Sequence, residues 1–313
     1  VTVSGRFDRN NAGQAVRLAE LRARSWPGRT DITDALAILA PVHAASDGVD
    51  GYVSVEVAPS LARDTDATIA MARDLWQRID RPNLYIKIPA TIEGLPAIRQ
   101  AISEGINVNV TLIFSLDRYA SVMEAFIDGL DAASDAGRDI TNISSVASFF
   151  ISRVDTEVDR RLDAVGTDQA LALRGQAAVA QGQLAGAMAD EAFAGDRWER
   201  LAHQGGRRQR PLWASTSTKN PTYPDTLYID QLIGPDTVNT IPDATLNAFE
   251  DHGTVERTLD ADVEGARATW AAIGSLVDMV DVANVLEVEG VTAFEKSFDE
   301  LLGVLETRAR DLG

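Results

Sequence analysis

Residues 107–114 read NVNVTLIF, and the order of those eight side chains decides the architecture. In an extended chain successive side chains point to opposite faces. Asn107, Asn109 and Thr111 therefore share one face, and Val108, Val110 and Leu112 share the other. The run YVSVEV at 52–57 repeats the arrangement, with Tyr52, Ser54 and Glu56 opposing Val53, Val55 and Val57. Further β-like runs punctuate the chain: LYIKI at 84–88, ISSVASFFI at 143–151, LWAST at 212–216 and TVNTI at 237–241. Ala- and Leu-rich stretches of helical period lie between them, at about 61–80, 94–104, 116–136, 154–203 and 243–252, with 260–312 after the last strand. Strands alternating with helices make parallel β/α units. An open sheet covered on both faces needs central strands that are apolar on both sides, which these are not. A polar inward face carrying Glu, Asn, Thr and Lys predicts instead a β/α barrel whose lumen hosts a reaction.

Composition narrows the chemistry. The chain has 313 residues, no cysteine, three histidines and a formal charge of -18. Without cysteine there is no disulfide framework, thiolate metal site or cysteine nucleophile. His43, His203 and His252 lie far apart, without metal-ligand spacing. Excess negative charge repels polyanions, so nucleic acid is not expected as a partner, though a small phosphorylated ligand held by two or three cations is not excluded. No run approaches the roughly 18 apolar residues of a membrane helix, and no basic-then-apolar start resembles a secretory signal, which predicts a cytoplasmic protein with no membrane partner. No repeat or long linker divides residues 1–313, which read as one domain, and neither a P-loop nor a G-x-G-x-x-G after a strand supports a nucleotide site. The Gly205, Gly206, Arg207, Arg208, Gln209, Arg210 cluster precedes a strand. That places it at the N-terminal face of a barrel, away from the chemistry, as a solvated loop.

Only Lys87, Lys219 and Lys296 are lysines, against 26 arginines. Lys87 sits among apolar residues at the C-terminal end of a strand, in LYIKIPAT. An ammonium there costs several kcal/mol of desolvation unless it is paired or deprotonated. Two readings follow: a Schiff-base nucleophile, which needs the neutral amine, or a structural ion pair with Glu56 on the preceding strand. Glu56, Asn109 and Thr111 fall near the C-terminal ends of neighbouring strands, on faces that point inward beside Lys87. A carboxylate moves protons through water, and an amide and a hydroxyl hold substrate hydroxyls, so together they suit carbonyl condensation.

The run LYIKIPATIEGL at 84–95 closely resembles the Schiff-base lysine signature of the transaldolase family. The resemblance continues through GINVNVTLIFS at 105–115, SVASFFISRVD at 145–155, WASTSTKNPTYPDTLYI at 213–229 and TVNTIPDATL at 237–246. It covers roughly residues 35–313 and is closest to the actinobacterial-type branch. It implies a TIM-type class I (β/α)₈ barrel that moves a dihydroxyacetone unit from a ketose phosphate, such as sedoheptulose 7-phosphate or fructose 6-phosphate, to an aldose phosphate. The family does so in the pentose phosphate pathway without metal or cofactor. Lys87 matches the nucleophile and Glu56 the acid/base working through water. Asn109 and Thr111 match substrate- and water-holding residues, and Ser148 and Arg153 match the phosphate-binding pair. A second family arginine is replaced by Lys219 in Ala214, Ser215, Thr216, Ser217, Thr218, Lys219.

There are departures. The family's first-strand Asp and its second-strand Thr-Thr-Asn-Pro-Ser signature are not recognisable, Ala58 stands where Asp often follows Glu-Val, and Lys219-Asn220-Pro221 belongs to a later strand. Residues 1–35 read as an atypical N-terminal segment: VTVSGRF, then a polar, Arg-rich helical stretch. Six runs stand where the family has eight strands, and 1–7 supplies at most one more. The expectation is an incomplete barrel with unpaired edges beside Glu56 and Asn239, which would favour oligomers or aggregates and slow transfer if nothing precedes Val1. Two alternatives to a transaldolase remain open: a Schiff-base aldolase that releases dihydroxyacetone, and a non-catalytic paralogue that binds sugar phosphates. Homo-oligomer formation is left open too.

Overall fold

The computed structural model describes residues 2–4 and 28–311. Six parallel strands follow one another in chain order: β2 (Tyr52–Glu56), β3 (Leu84–Pro89), β4 (Val108–Ile113), β5 (Ser145–Phe150), β6 (Arg210–Ala214) and β7 (Val238–Asn239). A short β1 (Thr2–Ser4) pairs antiparallel with β2, Thr2 opposite Ser54 and Ser4 opposite Tyr52. The extra N-terminal strand is therefore present but runs against the others. Val1, residues 5–7 and the part of the expected N-terminal helical segment up to residue 27 lie outside the described residues, while its remainder to residue 35 is in α1 (Gly28–Ala45).

The sheet curls. Arg210 at the start of β6 reaches Asp50, two residues before β2, with 3.3 Å between Nη1 and Oδ1. Four strand positions separate β2 from β6 in the sheet order, so only a sheet wrapped toward itself lets these side chains meet. Among the described residues β7 does not pair with β1, and the result is a curled half-barrel of the TIM type. The lumen face is polar as expected: Asn109 on β4 donates to Ser54 on β2 across the intervening strand, 2.9 Å.

The connecting helices are α1 (Gly28–Ala45), α2 (Thr65–Ile79), α3 (Gly94–Ser103), α4 (Leu116–Asp135), α5 (Ser152–Val165), α6 (Asp168–Ala172), α7 (Ala177–Ala192), α8 (Asp196–His203), α9 (Leu227–Asp230), α10 (Asp243–His252), α11 (Val263–Gly274) and α12 (Met279–Asp311). Asp64 and Ser115 cap α2 and α4 by accepting from the main-chain N–H groups of Ala67 and Arg118, contacts worth about 1 kcal/mol each. Outside the sheet, Tyr119 of α4, Phe149 of β5 and Trp213 of β6 stack edge to face at 5.7 and 6.5 Å in the core. The expected single stretch 154–203 is four helices, because Gly166 takes the left-handed conformation that ends α5 and Gly175 takes it again before α7. The stretch 260–312 is two, parted at 275–278.

The arginines at 207–210 are engaged at the N-terminal ends of the strands: Arg207 with Asp47, Arg208 with Asp190 and Asp236, Arg210 with Asp50. Among the described residues no helix is long and apolar enough to cross a membrane.

Candidate active site

Strand register sets the site. Glu56, which ends β2, is opposite Lys87; Lys87 is opposite Asn109, which stands second in β4 and not near its C-terminal end as the sequence reading has it; and Pro89, which ends β3, is opposite Thr111. Lys87 Nζ lies 3.6 Å from Glu56 Oε2, and both side chains are less than one-fifth exposed. Glu56 is the one carboxylate within 4 Å of Lys87 among the described residues. The ammonium also sits 5.2 Å from the centre of the Phe294 ring, contributed by α12.

The rest of the signature after Lys87 has a local purpose. Thr91 is fully buried; its hydroxyl donates to the Ala62 carbonyl and accepts from Gly94 N–H, closing the turn into α3. A side chain at Gly94 would place its Cβ 2.0 Å from the Pro89 carbonyl oxygen, so only glycine lets the helix begin this close to the strand end. Beyond Thr111, Leu112 takes a positive φ of 60°, and the register between β4 and β5 shifts between Val110 and Ile113. Leucine rarely adopts that conformation, and strain of this kind gathers at functional ends of strands.

Asn109 is held from both sides: its amide donates to Ser54 Oγ, and its carbonyl accepts from Ser148 Oγ at 2.7 Å. Thr111 is wholly buried, and its hydroxyl has no hydrogen-bond partner among the described residues. Such a group costs free energy unless something else occupies the site.

Arg153 is the second residue of α5, directly after β5. It is half-buried against the Phe150 ring at 5.2 Å and has no ion-pair partner within 4 Å among the described residues. Burial pushes its guanidinium down from the ordinary value, and the carboxylate of Glu289 on α12 opposes that. Lys219 follows β6 in an exposed loop, where its ammonium donates to Ser217 Oγ. The turns carrying Arg153 and Lys219 touch: Ser152 N–H donates to the Ser215 carbonyl, and the two hydroxyls lie 2.9 Å apart.

The structure thus brings Glu56 and Lys87 together and joins Asn109 to Ser148. Arg153 and Lys219 both follow strand ends, on turns tied to each other through Ser152 and Ser215. Sequence reasoning gave no role to Ser54, although it lay on the polar face of β2, and none to α12, which it saw only as part of the helical stretch 260–312. Phe294 and Val291 of that helix line a small cavity with Glu56, Pro89 and Leu112. Glu287 bridges Arg118 at 3.3 Å and Arg63 at 3.5 Å at its rim.

Polar residues gathered at the carboxyl ends of the strands of a parallel β/α half-barrel define a barrel enzyme of the TIM type. The family model described as Transaldolase/Fructose-6-phosphate aldolase matches residues 17–305, and the chain belongs to that family. It is similar to a protein named transaldolase from Parafrankia sp. (strain EAN1pec), 58% identical over 277 residues, 88% of this chain and 75% of that protein. A transaldolase of Thermobifida fusca (strain YX) is 58% identical over 274 residues, 87% of this chain and 74% of its own length. One from Mycobacterium bovis (strain BCG / Pasteur 1173P2) is 50% identical over 307 residues, 97% of this chain and 82% of that protein.

Proposed function

We propose that the chain is a transaldolase that moves a dihydroxyacetone unit between sugar phosphates through an imine on Lys87. Family membership and the similar transaldolases support the activity. The observation that carries the assignment to this site is the Lys87 and Glu56 pair, 3.6 Å apart at the strand ends. Lys87 Nζ attacks the ketose carbonyl carbon, and loss of water gives the iminium. The bond between the third and fourth carbons breaks as the fourth-carbon hydroxyl loses its proton. An aldose phosphate leaves, and an enamine of dihydroxyacetone stays on Lys87. The enamine carbon bonds to the acceptor aldehyde carbon, whose oxygen takes up a proton, and water then hydrolyses the iminium. Glu56 carries protons through water, and Thr111 and Asn109 hold that water and the substrate hydroxyls. Ser148, Arg153 and Lys219 take the phosphate, Arg153 through the fork that suits it. Sugar phosphates do not cross membranes, so the cytoplasmic pentose phosphate pathway is the setting of this reading.

Borohydride trapping tests it. With fructose 6-phosphate present, intact mass and peptide mapping should show a reduced adduct on Lys87. Absence of a substrate-dependent adduct in folded protein would favour the paralogue that binds without turnover. Adduct formation with release of free dihydroxyacetone and no transfer would favour the aldolase.

A further inference from the structure

Helix α5 carries Arg153 in its first turn, and two carboxylates follow it one helical turn apart, Asp155 and Asp159, on a shared face. Each carboxylate uses both oxygens. Asp155 accepts from Ala178 N–H at 2.7 Å and from the Tyr228 hydroxyl at 2.8 Å. Asp159 accepts from Gly175 N–H at 2.9 Å and from the Tyr223 hydroxyl at 2.7 Å. Of the N–H donors, Gly175 precedes α7 and Ala178 is its second residue, and the phenols belong to the segment that follows β6. Tyr223 also fits closely on Gly175, where an added Cβ would come within 2.8 Å of the ring.

The segment after β6 is therefore fastened to α5 at both ends. Ser215 is tied to Ser152 at the near end, and Tyr223 and Tyr228 to the two aspartates at the far end. Ser217 and Lys219 lie on the span between. The span has its own bracing, since Asn220 Oδ1 accepts from Thr222 N–H and Thr218 Oγ1 donates to the Pro224 carbonyl.

We propose that Asp155 and Asp159, through Tyr228 and Tyr223, are positioning residues that fix the loop bearing Ser217 and Lys219 against the helix bearing Arg153, and so set the spacing of the site's phosphate grip. An ammonium on an unfastened loop could still meet a phosphate, but it would have to be ordered at each binding event, which weakens binding of the phosphorylated substrate alone. The proposal rests on the sugar-phosphate reading above.

The test is the double variant Tyr223→Phe, Tyr228→Phe, which keeps both rings and removes both hydroxyls. Capture of the Lys87 adduct by borohydride is followed against concentration for fructose 6-phosphate and for dihydroxyacetone, which has no phosphate. The half-saturating concentration of fructose 6-phosphate should rise about tenfold while that of dihydroxyacetone stays put. Unchanged saturation by fructose 6-phosphate, or an equal loss on both compounds, would overturn the proposal and leave the network to the fold. If the wild-type protein forms no adduct with either compound, the parent reading fails instead. If the double variant does not fold, Tyr223→Phe alone, whose ring is half-buried, decides by the same comparison.

Discussion

Replacing Asp155 with asparagine removes the titration of one buried carboxylate, and its sign and size follow from the site. Asp155 is 2% exposed. Burial pushes its carboxyl up from the ordinary 3.8 to about 6, against the hydrogen bonds from Ala178 and Tyr228, and the neighbouring Asp159 carboxylate adds to the rise. Between those two values the folded protein binds more protons than the unfolded chain, so this group's stabilising contribution is complete below pH 3.8 and is lost as pH rises through about 6. At roughly 1.4 kcal/mol per pH unit the whole loss is about 3 kcal/mol. Other carboxylates work the opposite way. Glu104 is held low by Arg73, Glu157 by Arg160 and Arg161, and Asp131, though partly desolvated, by Arg200 and Arg197. Their stabilisation is present at neutral pH and fails on acidification, so the wild-type profile alone does not isolate Asp155. The difference between Asp155→Asn and wild type does. Asparagine keeps the size, and its carbonyl still accepts from Ala178 N–H while its amide donates to the Tyr228 oxygen. Urea unfolding at several values between about pH 4 and 7 should show the variant gaining about 3 kcal/mol on wild type across the window. A difference that stays flat would mean that Asp155 is charged across the whole range and that the burial argument is wrong.

Thr111→Val removes a buried hydroxyl that has no partner among the described residues, so the unfolding midpoint should hold or rise slightly while turnover falls by about tenfold or more; a large drop in the midpoint would show the hydroxyl to be structural. Gly94→Ala drives a Cβ into the Pro89 carbonyl oxygen, and main chain cannot step aside as a side-chain tip does. Its cost should exceed the usual 1–3 kcal/mol of overpacking, read as a fall of several degrees in thermal unfolding with loss of adduct at Lys87, and a wild-type melt would refute it.

Strand alternation made the lumen legible. Period two put Glu56 on one face of its strand and Asn109 and Thr111 on one face of theirs, nearness to the strand ends suggested that they meet Lys87, and the register puts Glu56 opposite Lys87 and Lys87 opposite Asn109. Helices α3, α4 and α10 begin where the sequence reading placed them, and of the three α4 has its own side-chain cap, Ser115. Helix α1 had no such legibility, because Pro41 inside it argues locally for a break. Tertiary contacts override that argument: Asn83 donates to the Leu36 carbonyl of α1 and to the Gly51 carbonyl, fixing the helix to the start of β2 and β3.

The cover of the site was illegible for another reason. Phe294 stands more than 200 residues from Lys87, on a helix whose own pattern says only that one face is apolar. Nothing local distinguishes a helix that packs on the barrel wall from one that crosses its mouth. Physically the cover has two unlike parts. Phe294 and Val291 fill the space beside Glu56, and Gly290 lets α12 approach Leu112, where a Cβ would come within 2.9 Å of Cδ2. Its rim is held by Glu287 with Arg118 and Arg63, and by Asp281 with Arg161 at 2.8 Å. Rim pairs that are partly solvated are worth at most about 1 kcal/mol each, and beneath the cover Lys87 and Glu56 keep 13% and 19% of their side chains exposed, so water still reaches them. On the sugar-phosphate reading proposed above, the aromatic cover beside Lys87 is fastened by rim pairs that cost little to break. On that same reading, weak fastening at the edge and apolar side chains beside the lysine suit an enamine that forms from a large substrate and then waits for the acceptor.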